Sequence, residues 1–190
     1  MRTSLLVAIR YTIVTTILLG LVYPLVITGI AQVTMRDKAN GQLIVRDGQV
    51  IGSAIIGQNF TSDRYFHGRP SAAGNGYDAA NSGGSNLAQS NSSLVDRINS
   101  AVTTYQKQNP GKPVPIDLVT TSASGIDPDI SPAAALYQVS SVSAARHLPE
   151  ETVRQLVEKH TQGRQFGVLG EPRVNVLLLN LDLDGLSAQN

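Results

Sequence analysis

Cysteine is absent from the 190 residues, which excludes disulfide staples, thiolate metal sites and thiol nucleophiles together. A domain of this size can bury a core without covalent bridges, so the absence does not fix the compartment. Charge is scarce too: 15% of residues are Asp, Glu, Lys or Arg, against about 25% in an average soluble domain. Gly, Ser, Asn, Gln and Thr take their place, giving a polar, weakly charged surface suited to docking against another protein. Arg2 and Arg10 stand before the long apolar run, which leaves 13 of the 15 basic residues against 14 acidic ones, a net of −1. Nucleic-acid binding, which needs a concentrated basic face, has no support.

The familiar catalytic devices are missing as well. The chain has no G-x-x-x-x-G-K-[ST] phosphate loop, no G-x-G-x-x-G, no H-E-x-x-H and no G-x-S-x-G. His67, His147 and His160 lack metal-ligand spacing. His147 and His160 fall near expected helix ends, where a cation favours the macrodipole.

What is present first is an uncharged run, YTIVTTILLGLVYPLVITGI, at residues 11–30. A helix of that length spans about 30 Å, the thickness of a bilayer's hydrocarbon core. Pro24 is tolerable there, and Gly20 and Gly29 are small enough for close helix packing, although a lone kinked anchor is the plainer alternative. A cleaved signal peptide ending at Gly29-Ile30-Ala31 competes with retention, but the run is about twice a usual h-region. Arg2 and Arg10 favour a cytoplasmic N-terminus, because long downstream domains translocate with little regard to charge. The expected organisation is a cytoplasmic tail at 1–10, a transmembrane helix at 11–31 and an extracytoplasmic domain at 32–190.

In that domain Asp47-Gly48 between two β-prone runs predicts a hairpin. Residues 57–93 form a long irregular segment, uncommon unless functional. A helix follows with Leu94, Ile98, Val102 and Tyr105 on one face, capped by Ser92 or a near neighbour. Residues 115–121 look like a short strand. Ser131-Pro132 starts a helix running to about 147, another occupies about 150–160, and 174–183 alternates at period two as a strand. The fold class is α+β: one N-terminal transmembrane helix followed by a single mixed α/β domain.

Two clusters stand out. Tyr65-Phe66-His67-Gly68-Arg69-Pro70 fits an interface hot spot and fits equally a structural turn with Phe66 in the core and Arg69 paired to an acid. Ser82-Gly83-Gly84-Ser85-Asn86 resembles an anion-cradling turn, though a flexible loop is the default. Asp63, Asp78, Asp182 and Asp184 default to solvated or capping roles.

The blocks GSAIIGQNFTSDRYFHGRPSA at 52–72, SGGSNLAQSN at 82–91, PIDLVTTSASGIDPDISPAAALYQVSSVSAARHL at 115–148 and GEPRVNVLLLNLDLD at 170–184, behind one apolar span, resemble the C subunit of the bacterial Kdp potassium-transporting P-type ATPase. The resemblance implies an accessory subunit of a potassium uptake complex in the cell membrane. Its partners would be a channel-like potassium-binding subunit, a P-type ATP-hydrolysing subunit and a very small membrane subunit. It also implies a catalytic chaperone that raises ATP affinity in the P-type subunit, with Gln138 at the position of the proposed nucleotide contact. A lone glutamine offers one acceptor and two donors, too few to hold a triphosphate. Cofactors are accordingly expected of the complex, as ATP and potassium ion, rather than of this chain. Partner-contact candidates are Tyr65, Phe66, His67, Arg69, Ser82, Gly83, Gly84 and Asn86. The alternatives are a tethered extracytoplasmic hydrolase using Asp63, His67 and Arg69, or a ligand-binding module.

Overall fold

The computed structural model describes residues 2–187, and the chain divides into two units, Met1–Ile51 and Gly52–Asn190. The first unit is dominated by one apolar helix, Arg2–Thr34, of 33 residues. It is built from α1 (Arg2–Ile17), a π-helical turn at Leu18–Val22 and α2 (Tyr23–Thr34). Pro24 explains the middle piece. Its ring cannot donate an N–H and collides with the carbonyl four residues back, so the preceding turn widens to i→i−5 bonding. The widened turn is visible where the Tyr23 N–H reaches the Leu18 carbonyl.

The large apolar side chains of this helix are 46–86% exposed among the described residues. Two of its hydroxyls turn back onto the backbone: Thr15 Oγ1 donates to the Tyr11 carbonyl at 2.8 Å and Thr34 Oγ1 to the Ile30 carbonyl at 2.8 Å. Self-satisfied hydroxyls suit a medium without water. At 1.5 Å per residue the helix is about 50 Å long, more than a hydrocarbon core requires. A short helix, α3 (Arg36–Ala39), and strand β1 (Leu43–Arg46) follow. Asp47 (φ 51°) and Gly48 (φ 76°) make the expected tight turn into β2 (Gln49–Ser53).

In the second unit, residues 54–91 are irregular apart from one 3-10 turn at Ala79–Asn81. Helix α4 (Ser92–Gln108) is capped by Asn91, whose side chain accepts from the Ser93 N–H. β3 (Asp129–Ile130) leads directly into α5 (Pro132–Arg146), with Ser131 as cap and His147 in the left-handed conformation closing it. Then come α6 (Glu150–His160), β4 (Thr161–Gln162), β5 (Arg173–Asn175) and α7 (Val176–Ser187). The sheet is small and antiparallel, in the order β3-β5-β4, with Ile130 and Thr161 both opposite Val174. Phe66, Leu118, Val139, Val142, Val153, Val157, Val174, Leu179 and Leu183 form its core with α5, α6 and α7.

Two expectations are corrected. The strand at 174–183 ends at Asn175, and helix α7 takes over. The apparent alternation of leucines conceals a helical subset, Val176, Leu179, Asn180 and Leu183, which is buried together with Leu177. Leucine is a strong helix former, and Asn175 Oδ1 caps the new helix by accepting the Leu178 N–H. Residues 115–121 form a 3-10 turn at Ile116–Leu118 rather than a strand. Asp117 there accepts the Ser131 N–H at 2.6 Å, so the segment serves as a brace for the start of α5.

A loop held by buried amides

Phe66 and His67 lie in the middle of the irregular segment, and their peptide groups face opposite ways. Each is bracketed by an amide side chain. Asn180, on α7, accepts the Phe66 N–H at 2.9 Å and donates to the Phe66 carbonyl at 2.9 Å. Gln138, on α5, accepts the His67 N–H at 2.8 Å and donates to the His67 carbonyl at 3.1 Å. A loop crossing a core has no ladder partner for its backbone, and an unpaired buried peptide group costs about 1–3 kcal/mol. The two amides supply what a neighbouring strand would supply. Between them the Phe66 ring sits fully buried in the core.

Arg146 fastens the segment on the N-terminal side. Its Nε donates to the Arg64 carbonyl at 2.6 Å, its guanidinium lies 4.6 Å from the centroid of the Tyr65 ring, and Nη2 meets Asp184 at 2.8 Å. Tyr65 Oη donates to the other Asp184 oxygen at 3.2 Å. On the C-terminal side Arg69 reaches the Thr121 carbonyl at 3.1 Å and Asp127 at 3.4 Å. Tyr77 Oη donates to the Arg69 carbonyl at 2.6 Å. Burial, reinforced by the Asp127 charge and opposed by Arg69, pushes the Tyr77 pKa up to about 12, so this phenol remains a donor throughout the physiological range. Ser71 Oγ donates to the Gly125 carbonyl at 2.5 Å and accepts the Tyr77 N–H at 2.7 Å.

The Ser82–Asn86 segment does not form an anion cradle. The Gly83 N–H donates to the Ser124 carbonyl at 2.8 Å, and Ser82 Oγ donates to the same carbonyl at 2.9 Å. Close backbone approach depends on Gly125 across from this segment, where a Cβ (φ 68°) would lie 2.6 Å from the Gly83 oxygen, and on Gly84, where one would lie 3.1 Å from the Ala123 oxygen. Ser82 and Asn86 remain exposed on the rim, and Gly83 and Gly84 are half-buried.

Asp63, His67 and Arg69 are not brought to one place. Asp63 and His67 border a crevice of about 20 Å³ beside Gln138, and His67 also lines a cleft of about 320 Å³ with Arg69, Asn59, Phe60 and Tyr77, which Asp63 does not border. His67 Nε2 sits 3.2 Å from the Ser62 carbonyl. The surroundings of Gln138 do not fit a nucleoside triphosphate. Both amide hydrogens are engaged, one by His67 and one by the Ala134 carbonyl at 3.2 Å. The crevice holds about one water, and it is bordered by a carboxylate with no Lys or Arg.

Sequence reasoning did not find Asn180 and Arg146, and it gave Asp184 only a default role. Asn180 and Arg146 carried a readable signal, a polar residue inside an apolar stripe, but that stripe becomes visible only once the helical period is assigned. Asp182 and Asp184, expected in solvated or capping roles, are paired across helices: Asp184 with Arg146, and Asp182 at 2.9 Å from His160 Nε2 and 3.0 Å from Lys159 Nζ. Asp78 caps the 3-10 turn by accepting the Ala80 N–H.

This combination defines a class: a compact α/β domain behind one helix long and apolar enough to cross a membrane, its most motif-like polar residues devoted to holding a loop in place. The model of the family described as K+-transporting ATPase, c chain (KdpC), matches residues 5–185. A potassium-transporting ATPase KdpC subunit of Koribacter versatilis is 60% identical over 185 residues, covering 97% of this chain and 96% of the relative. Its counterpart in Acidobacterium capsulatum is 57% identical over 177 residues (93% and 95%), and that of Methylobacterium nodulans 51% over 201 residues (100% and 98%). The chain belongs to the KdpC family.

Proposed function

We propose that this chain is the accessory, non-catalytic subunit of an ATP-driven, high-affinity potassium uptake complex. The family match across residues 5–185 carries the reading. The internal engagement of the 62–77 loop supports it, because that loop is built as a rigid surface and not as a reaction site. The partners are a channel-like potassium-binding subunit, a P-type ATP-hydrolysing subunit and a small membrane subunit. Residues 1–10 lie in the cytoplasm, residues 11–31 cross the membrane, and the remainder is extracytoplasmic. In this arrangement the exposed rim at Ser82 and Asn86 contributes to docking, and Tyr65, Phe66, His67, Arg69 and Gln138 position it from within.

An extracytoplasmic domain cannot touch cytoplasmic ATP. Any gain in ATP affinity therefore arises by coupling: the domain binds one conformation of the complex more tightly, and that conformation binds ATP better. Withdrawing the chain from the purified complex and restoring it tests both levels. Potassium-stimulated ATP hydrolysis is expected to fall without the chain and return with it, with half-maximal ATP at least about fivefold lower when it is present. Full stimulated activity in its absence would refute the accessory role.

A further inference from the structure

Between β4 and β5 the chain makes a projecting hairpin finger, residues 163–172. Gln165 and Leu169 pair across it, with N···O distances of 2.8 and 2.9 Å in the two directions. The Val168 N–H closes the tip onto the Gln165 carbonyl at 3.2 Å. Both central turn residues have positive φ: Phe166 at 54° and Gly167 at 76°. Turns of this kind favour Asn, Asp or Gly in the first central position, and a bulky aromatic residue held there is strained. No gain within the domain offsets that strain. Phe166 is 84% exposed, Val168 72% and Leu169 57%. At the base Arg164 Nη2 holds both Glu171 oxygens, at 2.8 and 2.7 Å, which stiffens the finger and cancels its charge.

We infer that this finger is a plug that seats in an uncharged apolar socket on the outward face of another membrane-resident chain of the same transporter; the inference rests on the accessory-subunit reading. The alternatives match the observations less well. Segments that enter a lipid surface join apolar groups such as Trp, Phe and Leu to unpaired Lys or Arg, and it is the free cation that is missing here. Residues 163–172 contain no Lys, Trp or Tyr, their one cation is neutralised, and the anion that neutralises it is repelled by acidic lipids. A second copy of the chain is disfavoured by size, since three side chains fall far short of the roughly 800 Å² per partner that a stable dimer buries. A small neutral plug suffices where a first contact already ties two chains together, which the accessory-subunit reading supplies for the other chains of the transporter and not for a second copy.

The absence of cysteine makes the test specific. Phe166→Cys introduces a single thiol, and a maleimide-polyethylene glycol shifts only this chain's band on a gel. The side chain is 84% exposed, so the variant is expected to assemble, with the complex in mild detergent isolated by a tag on the ATP-hydrolysing chain. Thiol labelling at least about tenfold slower in the complex than in the lone detergent-solubilised chain is the expected result. Equal labelling in both overturns the plug while leaving the accessory reading intact. Protection of the lone chain in liposomes assigns the finger to lipid, and protection in a detergent-solubilised homodimer assigns it to a second copy; either overturns the inference. If the wild-type chain fails to co-purify, the accessory reading falls and the plug with it. A second variant, Phe166→Ser with Leu169→Ser, is expected to reduce co-purification about tenfold at unchanged thermal stability, and undiminished recovery counts against the plug.

Discussion

Residues 62–77 and residues 163–172 both look like polar connections in the sequence, yet they are built on opposite principles. The first is drawn into the domain, with Phe66 in the core and its flanking peptide groups held by Asn180, Gln138 and Arg146. The second is held away from the domain by its own turn and one ion pair, and displays its apolar groups to the outside. Loop rigidity can thus come from buried polar partners or from local backbone geometry. Only the first is coupled to the stability of the whole fold. Substitutions in the first region should be read as unfolding free energies, and those in the second as changes in association.

Removing Arg146 breaks the comparison most forcefully. Arg146→Ala strips Asp184 and Tyr65 of their cation and leaves the Arg64 carbonyl without its donor. About 3 kcal/mol of stability should be lost, measured by urea unfolding under far-UV circular dichroism. Asn180→Ala orphans both peptide groups of Phe66 and should cost about 2–3 kcal/mol by the same measurement. Adding Gln138→Ala to it sharpens the picture, because the two amides hold adjacent residues. The double variant should deviate from additivity by about 0.5 kcal/mol or more, and strict additivity would mean that the loop is not a single clamped unit.

The Asp182 link between α6 and α7 gives a smaller effect. Its hydrogen bond from His160, then that from Lys159, holds the carboxyl below the usual carboxylate range. A depressed folded pKa stabilises above the unfolded value and is lost as pH falls through the folded one. Thermal stability should therefore decline on acidification from about pH 5 towards pH 2, and Asp182→Asn should flatten part of that decline. Smallest of all is Arg164→Ala in the finger, where both partners are solvated. Stability should change by under about 0.5 kcal/mol, while co-purification with partner chains weakens.

Much of this was legible from residue order alone. The apolar run, the Asp47-Gly48 turn, the Ser131-Pro132 helix start and the α6 face are local signals, each fixed by neighbours within a few positions. The Tyr65–Pro70 cluster was recognised as unusual, but its two readings could not be separated. Whether Phe66 points in or out depends on amides far away in sequence: Gln138 lies 71 residues beyond His67, and Asn180 lies 114 beyond Phe66. The last element was misread because leucines at alternating positions satisfy a strand period and, in part, a helix period. Packing chose the helix, since Leu179 and Leu183 with Val176 fill the core.

Composition and periodicity by themselves determined that one helix is apolar enough for a bilayer, that an α+β domain follows, and that a helix starts at Ser131-Pro132, because those properties depend on short-range sterics and on the spacing of apolar residues. Tertiary structure alone decided that the 62–77 loop is clamped and that Gln138 serves as backbone partner to His67. It also decided that Phe166 is displayed. Those outcomes depend on which distant groups meet in space, and an unpaired peptide group or an uncovered aromatic ring has no signature until the chain is folded.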